Sequence, residues 1–278
     1  MKTLSKTPEY NMLRGYIIRL VFRIAVFGVI LWTYIAQPHY FDYLVTKTVQ
    51  LQWQVMGFDL SEIRAIWQSQ YSVVWMYAVW ALFMLSMLNQ MFAGKSKLTM
   101  GSKKVFTSNY VEVDKFSRAN VLEHKNKQDL GAIKTLIAWS CLNAVFGALY
   151  ALDIIAIKEL VLLTAFYYIC DLICVVIFCP FQRFFMKNRC CVNCRIFNWG
   201  YLMIFTPFLF IRNFFTWSLF FMSLLLVIRW EVTLILSPER FWDGSNDILK
   251  CENCKDKICK IKGAQFYDEA GKLISKRH

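Results

Sequence analysis

From Ile196 to Ile228 the chain reads IFNWGYLMIFTPFLFIRNFFTWSLFFMSLLLVI, with Arg212 as its one charged residue. As one helix this stretch would run about 50 Å at 1.5 Å per residue. That is well beyond the roughly 30 Å hydrocarbon core of a bilayer. Arg212-Asn213 is the natural place for a reversal, and Pro207 weakens any helix just before it. The stretch therefore reads as a membrane hairpin. Its arms are 196–211 and 214–236, the first of them short for a full crossing.

Four further runs have the length and apolarity of a span, which needs about 20 residues. They are 17–36, with Arg19 and Arg23 near its start; 71–93, which has no charge; 135–157, which includes Asp153; and 160–182, which includes Asp171. The expected fold is thus an all-α polytopic membrane protein of six transmembrane helices with a small cytosolic Cys-rich metal-binding element. Composition agrees. Apolar residues make up 57% of the 278, charged residues 18%, and mean hydropathy is +0.39. Soluble domains hold about 45–50% apolar residues, and a single soluble core of this length could not hide so much apolar surface. The same apolarity excludes intrinsic disorder.

The net charge of +13 would suggest nucleic acid in a soluble chain. In a membrane chain it follows from basic cytosolic loops, so nucleic acid is not an expected partner. The loop 94–130 carries Lys95, Lys97, Lys103, Lys104, Lys115, Arg118, Lys125 and Lys127, and Arg183, Lys187, Arg189 and Arg195 follow the fourth span. The opposite side has Lys47, Arg64, Lys158 and Arg212. Both termini are then expected in the cytosol, as an even number of spans requires. In a prokaryote the membrane would be the cytoplasmic one. The bilayer is the first partner, with a second copy or another membrane protein beside it.

Two units follow. Residues 1–236 form the membrane domain, with a structured outer loop 37–70 and a basic cytosolic loop 94–130. Residues 237–278 form a cytosolic tail expected to pack with the 183–195 loop. Asp59-Leu60-Ser61-Glu62 has capping-box spacing and predicts a short helix toward Trp67. VFTSNYVEV (105–113) predicts a strand. QFYDEAGKLI (265–274) predicts a small β-hairpin turning at 269–272.

The ten cysteines are the chemical signal. Cys191-Val192-Asn193-Cys194-Arg195 and Cys251-Glu252-Asn253-Cys254-Lys255 share the pattern C-x-N-C followed by a basic residue. Cytosolic thiols stay reduced, so such clusters point to metal rather than disulfides. Two C-x-x-C turns supply the four sulfurs that zinc takes in structural sites. The pair resembles the knuckles of zinc-ribbon and rubredoxin-type sites. That resemblance implies one metal held by Cys191, Cys194, Cys251 and Cys254. Here a membrane hairpin separates the knuckles, where a ribbon has a short soluble insert. The metal would tie the foot of the fifth span to the foot of the sixth. Cys190, Cys259 and Cys179, the last followed by Pro180, are surplus sulfurs. They keep an iron–sulfur cluster open as an alternative.

Charge inside lipid is costly, so each such residue is a candidate functional group. Asp171 falls near the middle of the fourth span, with Cys170 and Cys174 around it and Cys141 at a similar depth on the third. Arg23 on the first span can reach Asp171, and pairing would neutralise both. Such a pair fits either helix register or a polar path for a proton or ion. Asp153, Arg229 and Glu231 read as interface anchors.

No span contains His, which excludes bis-histidine haem in the bilayer. Neither H-E-x-x-H nor G-x-S-x-G occurs. Gly94-Lys95-Ser96 lacks the earlier glycine of a phosphate loop, Asn89 standing in its place. The expectation is a non-enzymatic channel, carrier or scaffold fastened by a four-cysteine zinc site. The alternative is an iron–sulfur or other iron-containing membrane redox protein fed by a cytosolic electron carrier.

Overall fold

The long apolar runs form helices, which satisfy every backbone group within their own segment. The computed structural model describes residues 8–39, 41, 71–92, 107–114, 116–188, 194–250, 252–253, 266–267 and 273–274. Among these residues six α-helices order the chain: α1 (Pro8–Ala36), α2 (Tyr71–Met91), α3 (Arg118–Ala151), α4 (Ile157–Val176), α5 (Gly200–Phe205) and α6 (Phe214–Leu236). Among the described residues, four segments are long and apolar enough to cross a membrane: Gly15–Ala36, Arg118–Ala151, Ile157–Val176 and Phe214–Leu236. Their outward faces are apolar, with Ile18, Phe22 and Ile35 of α1 57%, 64% and 69% exposed. The protein is thus largely helical, with several helices whose composition suits lipid.

Three of the expected spans have different bounds. The helix that holds the third begins 17 residues earlier than Thr135, at Arg118, ahead of its apolar run. The polar half of α3 carries no apolar run, so its helicity rests on packing and on pairs such as Lys125 Nζ to Asp129 Oδ2 at 2.8 Å. The same helix stops at Ala151, and Asp153 sits in the turn beyond it with φ 56°. Short acidic and amide side chains tolerate that left-handed conformation better than most. Asp153 is therefore a turn residue and not part of a span.

The fourth span ends at Val176, six residues before the expected Gln182. Pro180 disfavours helical backbone at Cys179. A six-residue π-helix, Phe181–Met186, follows instead.

The expected fifth span, 196–211, is not one α-helix. It is the 3-10 turn Arg195–Trp199, the short α5, and a second 3-10 piece, Thr206–Phe210, that carries Pro207. Ile204, Phe205 and Pro207 are buried. The reversal at Arg212-Asn213 is where the sequence places it. Asn213 caps α6 by accepting the Phe215 N–H at 2.8 Å.

Apolar packing is weak glue between helices in lipid, and close approach plus cross-helix hydrogen bonds take over. One stripe of α3 shows both. Gly131, Thr135, Asn143 and Gly147 are buried at four- and eight-residue intervals. A Cβ on Gly131 would stand 2.9 Å from the Phe185 carbonyl, and one on Gly147 2.4 Å from the Phe210 ring. Trp139, on the same stripe, donates to Thr206 Oγ1 at 3.0 Å. Elsewhere Tyr34 donates to Glu159 (2.9 Å), Trp80 to Ser218 (2.8 Å), and Ser86 shares a 2.6 Å bond with Tyr201.

A polar cap closes one end. The 105–113 segment is not a strand where it is described: Thr107–Asn109 is a 3-10 turn, and Glu112 makes an isolated bridge with Asn246. The Asp247 N–H reaches the Val111 carbonyl at 2.9 Å and the Val113 N–H the Ser245 carbonyl at 3.3 Å. Ser245 and Asn246, both fully buried, donate to the Glu239 and Arg240 carbonyls at 2.6 and 2.9 Å. His124 of α3 stacks on Trp242. Further on, Phe266–Tyr267 pairs antiparallel with Leu273–Ile274, the hairpin the sequence predicts. The expected helix beginning at Asp59 lies outside the described residues.

Candidate functional site

Two arginine-centred clusters hold most of the chemistry. The first joins α1 to α4. Arg23 Nη1 lies 2.9 Å from Asp171 Oδ2, and the same nitrogen donates to the Tyr168 carbonyl at 2.6 Å. The guanidinium also covers the Tyr168 ring, 3.9 Å from its centroid. Ion pair, carbonyl and ring face together disperse a cation that the span would otherwise leave unpaired. Asp171 presses against α5 at Gly200, where an added Cβ would stand 2.8 Å from Oδ1. The glycine is what lets the carboxylate in. Arg23 and Asp171 are therefore brought together. Tyr168 and Gly200 complete the cluster, and neither carries a periodic signal in the sequence.

The second cluster lies at the cap end. Arg195 pairs with Asp129 of α3 through Nη1 and with Glu231 of α6 through Nη2. Its Nε donates to both Glu231 oxygens at 3.1 and 3.0 Å, and Trp199 Nε1 donates to Glu231 Oε1 at 2.8 Å. Arg195 is 17% exposed at its side chain. Asp129 sits in the polar half of α3, ahead of the apolar run and so outside the span. Burial pushes its carboxyl up, but hydrogen bonds and charge from Lys125 and Arg195 outweigh this and hold it below the ordinary carboxylate value. From the sequence Arg195 reads as one loop cation among several and Glu231 as an interface anchor. The usable signal is a carboxylate inside the apolar run of α6, which demands a partner.

Cys194 immediately precedes this clamp. It is 6% exposed and shares an apolar cluster with Ala132, Met186, Ile196, Trp199 and Val227. The second knuckle is partly visible. Glu252 and Asn253 form a turn, and the Asn253 N–H bonds to the Lys250 carbonyl at 3.1 Å. The Asn253 side chain donates to the Asp247 carbonyl at 2.9 Å and to Asp247 Oδ2 at 2.6 Å. The Lys250 ammonium, hydrogen-bonded to the exposed Asp247, holds that carboxyl below its usual range. Cys190, Cys191, Cys251, Cys254 and Cys259 lie outside the described residues. Among the described residues no three His, Cys, Asp or Glu side chains are grouped to hold a metal.

Of the remaining described thiols, Cys141 is exposed on α3, and Cys170, Cys174 and Cys179 are each partly exposed. Comparisons with protein-family models, with curated proteins and with solved structures find no match to this chain.

Proposed function

We propose that the chain is an integral membrane scaffold without catalytic chemistry of its own, its cytosolic cap fastened by a zinc ion on Cys191, Cys194, Cys251 and Cys254. One observation carries the metal reading. Cys194 shares an apolar cluster with Val227, and Leu249, two residues before Cys251, shares one with Trp230. Val227 and Trp230 are one turn apart on α6, so the end of the first knuckle and the residue just before the second belong to clusters that meet the same stretch of that helix. The turn at Glu252-Asn253 is the backbone shape that a C-x-x-C knuckle needs. Four thiolates here fit the all-sulfur donor set of structural zinc, and such a metal contributes folding energy to the segment that supplies its ligands.

The scaffold reading, over a channel or carrier, is supported by Asp171, one oxygen of which pairs with Arg23 while the other faces Gly200. The orientation follows the basic loops, with the cap in the cytosol.

Elemental analysis of the purified full-length protein is the test. One zinc per chain is expected, with loss of metal and new protease cleavage in the tail when any of the four cysteines becomes Ser. A brown protein carrying iron, equally dependent on Cys179, Cys190 and Cys259, would replace this reading with the redox one.

A further inference from the structure

α3 and the π-helix Phe181–Met186 meet where each passes between apolar and charged sequence. On α3 no charged residue follows Lys134 until Asp153, and after Asp171 the next charge is Arg183. Gly131, one turn before Lys134, brings the two boundaries together. An added Cβ there would stand 2.9 Å from both the Phe185 carbonyl oxygen and Met186 Sδ. The π-helix is docked by one face: Met186 is buried in a cluster with Ala132, and the Phe181 ring meets the Trp139 ring edge-on at 5.8 Å. Arg183 and Phe184, and Lys187 just beyond them, are exposed. Beside them Ile177 and Phe178 are 53% and 42% exposed, and Phe184 63%. The Phe178 and Phe184 rings lie edge to face at 6.4 Å, and the Arg183 guanidinium stands 5.9 Å from the Phe178 centroid. That is the outer limit of a cation–π contact, so the guanidinium keeps its donors for another partner.

Among the described residues, Lys134, Arg183 and Lys187 make no ion pair. Lys134 is exposed among the exposed Ile133, Leu136 and Ile137. The preceding carboxylate on α3, Asp129, is already held by Lys125 and Arg195. Unpaired cations and bare aromatic rings thus share one boundary.

We propose that Lys134, Arg183 and Lys187 hold the phosphate of an anionic phospholipid in the leaflet on the cap side, its acyl chains lying against Ile177, Phe178 and Phe184. The inference rests on the membrane reading of α3 and α4. A soluble anion would use the cations and leave the rings in water, whereas a lipid uses both, as interfacial segments do with a basic face and an apolar one. The guanidinium fork matches two phosphate oxygens. The two lysines add charge on flexible stems that can lie along apolar surface and reach headgroup level. A zwitterionic lipid brings its own cation to the same place and loses most of this attraction.

The experiment titrates the purified full-length protein in detergent with phosphatidylglycerol, or with phosphatidylcholine of the same acyl chains, and counts retained lipid by native mass spectrometry. The wild type should retain phosphatidylglycerol more strongly, a comparison that needs no variant. Lys134→Gln, Arg183→Gln and Lys187→Gln should each weaken it by on the order of fivefold, and the three together should abolish the preference. Replacing Lys97, Lys103 and Lys104 by Gln removes the same charge elsewhere and should leave the preference intact. Phe178→Ser combined with Phe184→Ser should weaken retention of both lipids. Equal retention of the two lipids by the wild type, or equal loss in the Lys97/Lys103/Lys104 variant, would overturn the site. Displacement of the lipid by a millimolar excess of inorganic phosphate would overturn the lipid as its occupant. Alkaline carbonate extraction of membranes separates the two ways to fail. A protein washed off sinks the membrane reading itself, whereas one that stays but shows no lipid preference sinks this site alone.

Discussion

Arg23 and Arg195 are both arginines paired to carboxylates between helices, yet their surroundings differ. Arg23 has one carboxylate, one backbone carbonyl and one ring face, all drawn from α4. Arg195 has two carboxylates from two different helices, α3 and α6, with Trp199 donating to one of them. A pair drawn from a single neighbour fixes the rotation of α1 against α4 and nothing else. A guanidinium between two neighbours fixes three elements at once, and its planar fork suits that work. The first arrangement is a register pin, and the second is a junction.

The largest effect should come from the junction. Arg195→Met leaves Asp129 and Glu231 at the cap without the cation they share. Removing one partner of a buried pair costs about 3–5 kcal/mol; this junction is part-buried, so a loss toward the low end is expected, read by thermal unfolding in detergent and protease sensitivity of 237–250. Arg195→Lys should recover only part, since an ammonium cannot make the fork. Full recovery by Lys would mean that charge alone matters and would erase the contrast with Arg23.

The pin should cost somewhat less. If α1 crosses the membrane as proposed, Asp171→Asn strands a guanidinium in it, worth about 2.5–3.5 kcal/mol on insertion scales. Combining it with Arg23→Gln should restore part of the loss, because both charges are then gone. Strictly additive losses would show that the two side chains act separately, and would reopen a transport role for Asp171.

A steric probe of the same pin should be smaller. Gly200→Ala pushes a methyl against Asp171 Oδ1. Overpacking typically costs about 1–3 kcal/mol, toward the low end here because a carboxylate can rotate away. The loss should vanish in an Asp171→Ala background. If it persists there, Gly200 serves the backbone of α5 rather than the carboxylate.

Acid should separate the clusters by the least. The folded Asp129 carboxyl titrates below its unfolded value. Its stabilisation is therefore complete above the ordinary Asp value of about 3.9, and it is lost only as pH falls through the lower folded value. Protease resistance of the cap should be flat from pH 7 to about pH 4.5 and decline only below about pH 4. A decline beginning near pH 6 would implicate other groups, such as thiolate ligands or His124.

These clusters also mark what can be read from the chain. Apolar runs locate α1, α2, α4 and α6, since their length and apolarity are legible directly in the sequence. Arg23 and Asp171 can be paired from sequence because each is the costly exception in its span. The polar half of α3 is invisible for the converse reason: its helicity depends on neighbours such as Met186 and Trp242, and tertiary context leaves no run to find. Pro180 is in plain view, and its restriction on Cys179 is reason enough to end α4 early. Glu231 stands out as a charge but shows no partner, because its separation from Arg195 spans a whole hairpin.

The length of α3 has a mechanical consequence. Its 34 residues extend about 50 Å, some 20 Å more than the hydrocarbon core, without a proline along the way. Such a rod has no joint. A force applied where His124 stacks on Trp242 would be delivered at the turn around Asp153, at the other end of the helix. With a lever arm of about 44 Å between them, a tilt of about five degrees would carry that far turn about 4 Å. A displacement of the cap at one end of α3 is thereby transmitted to the turn at its other end.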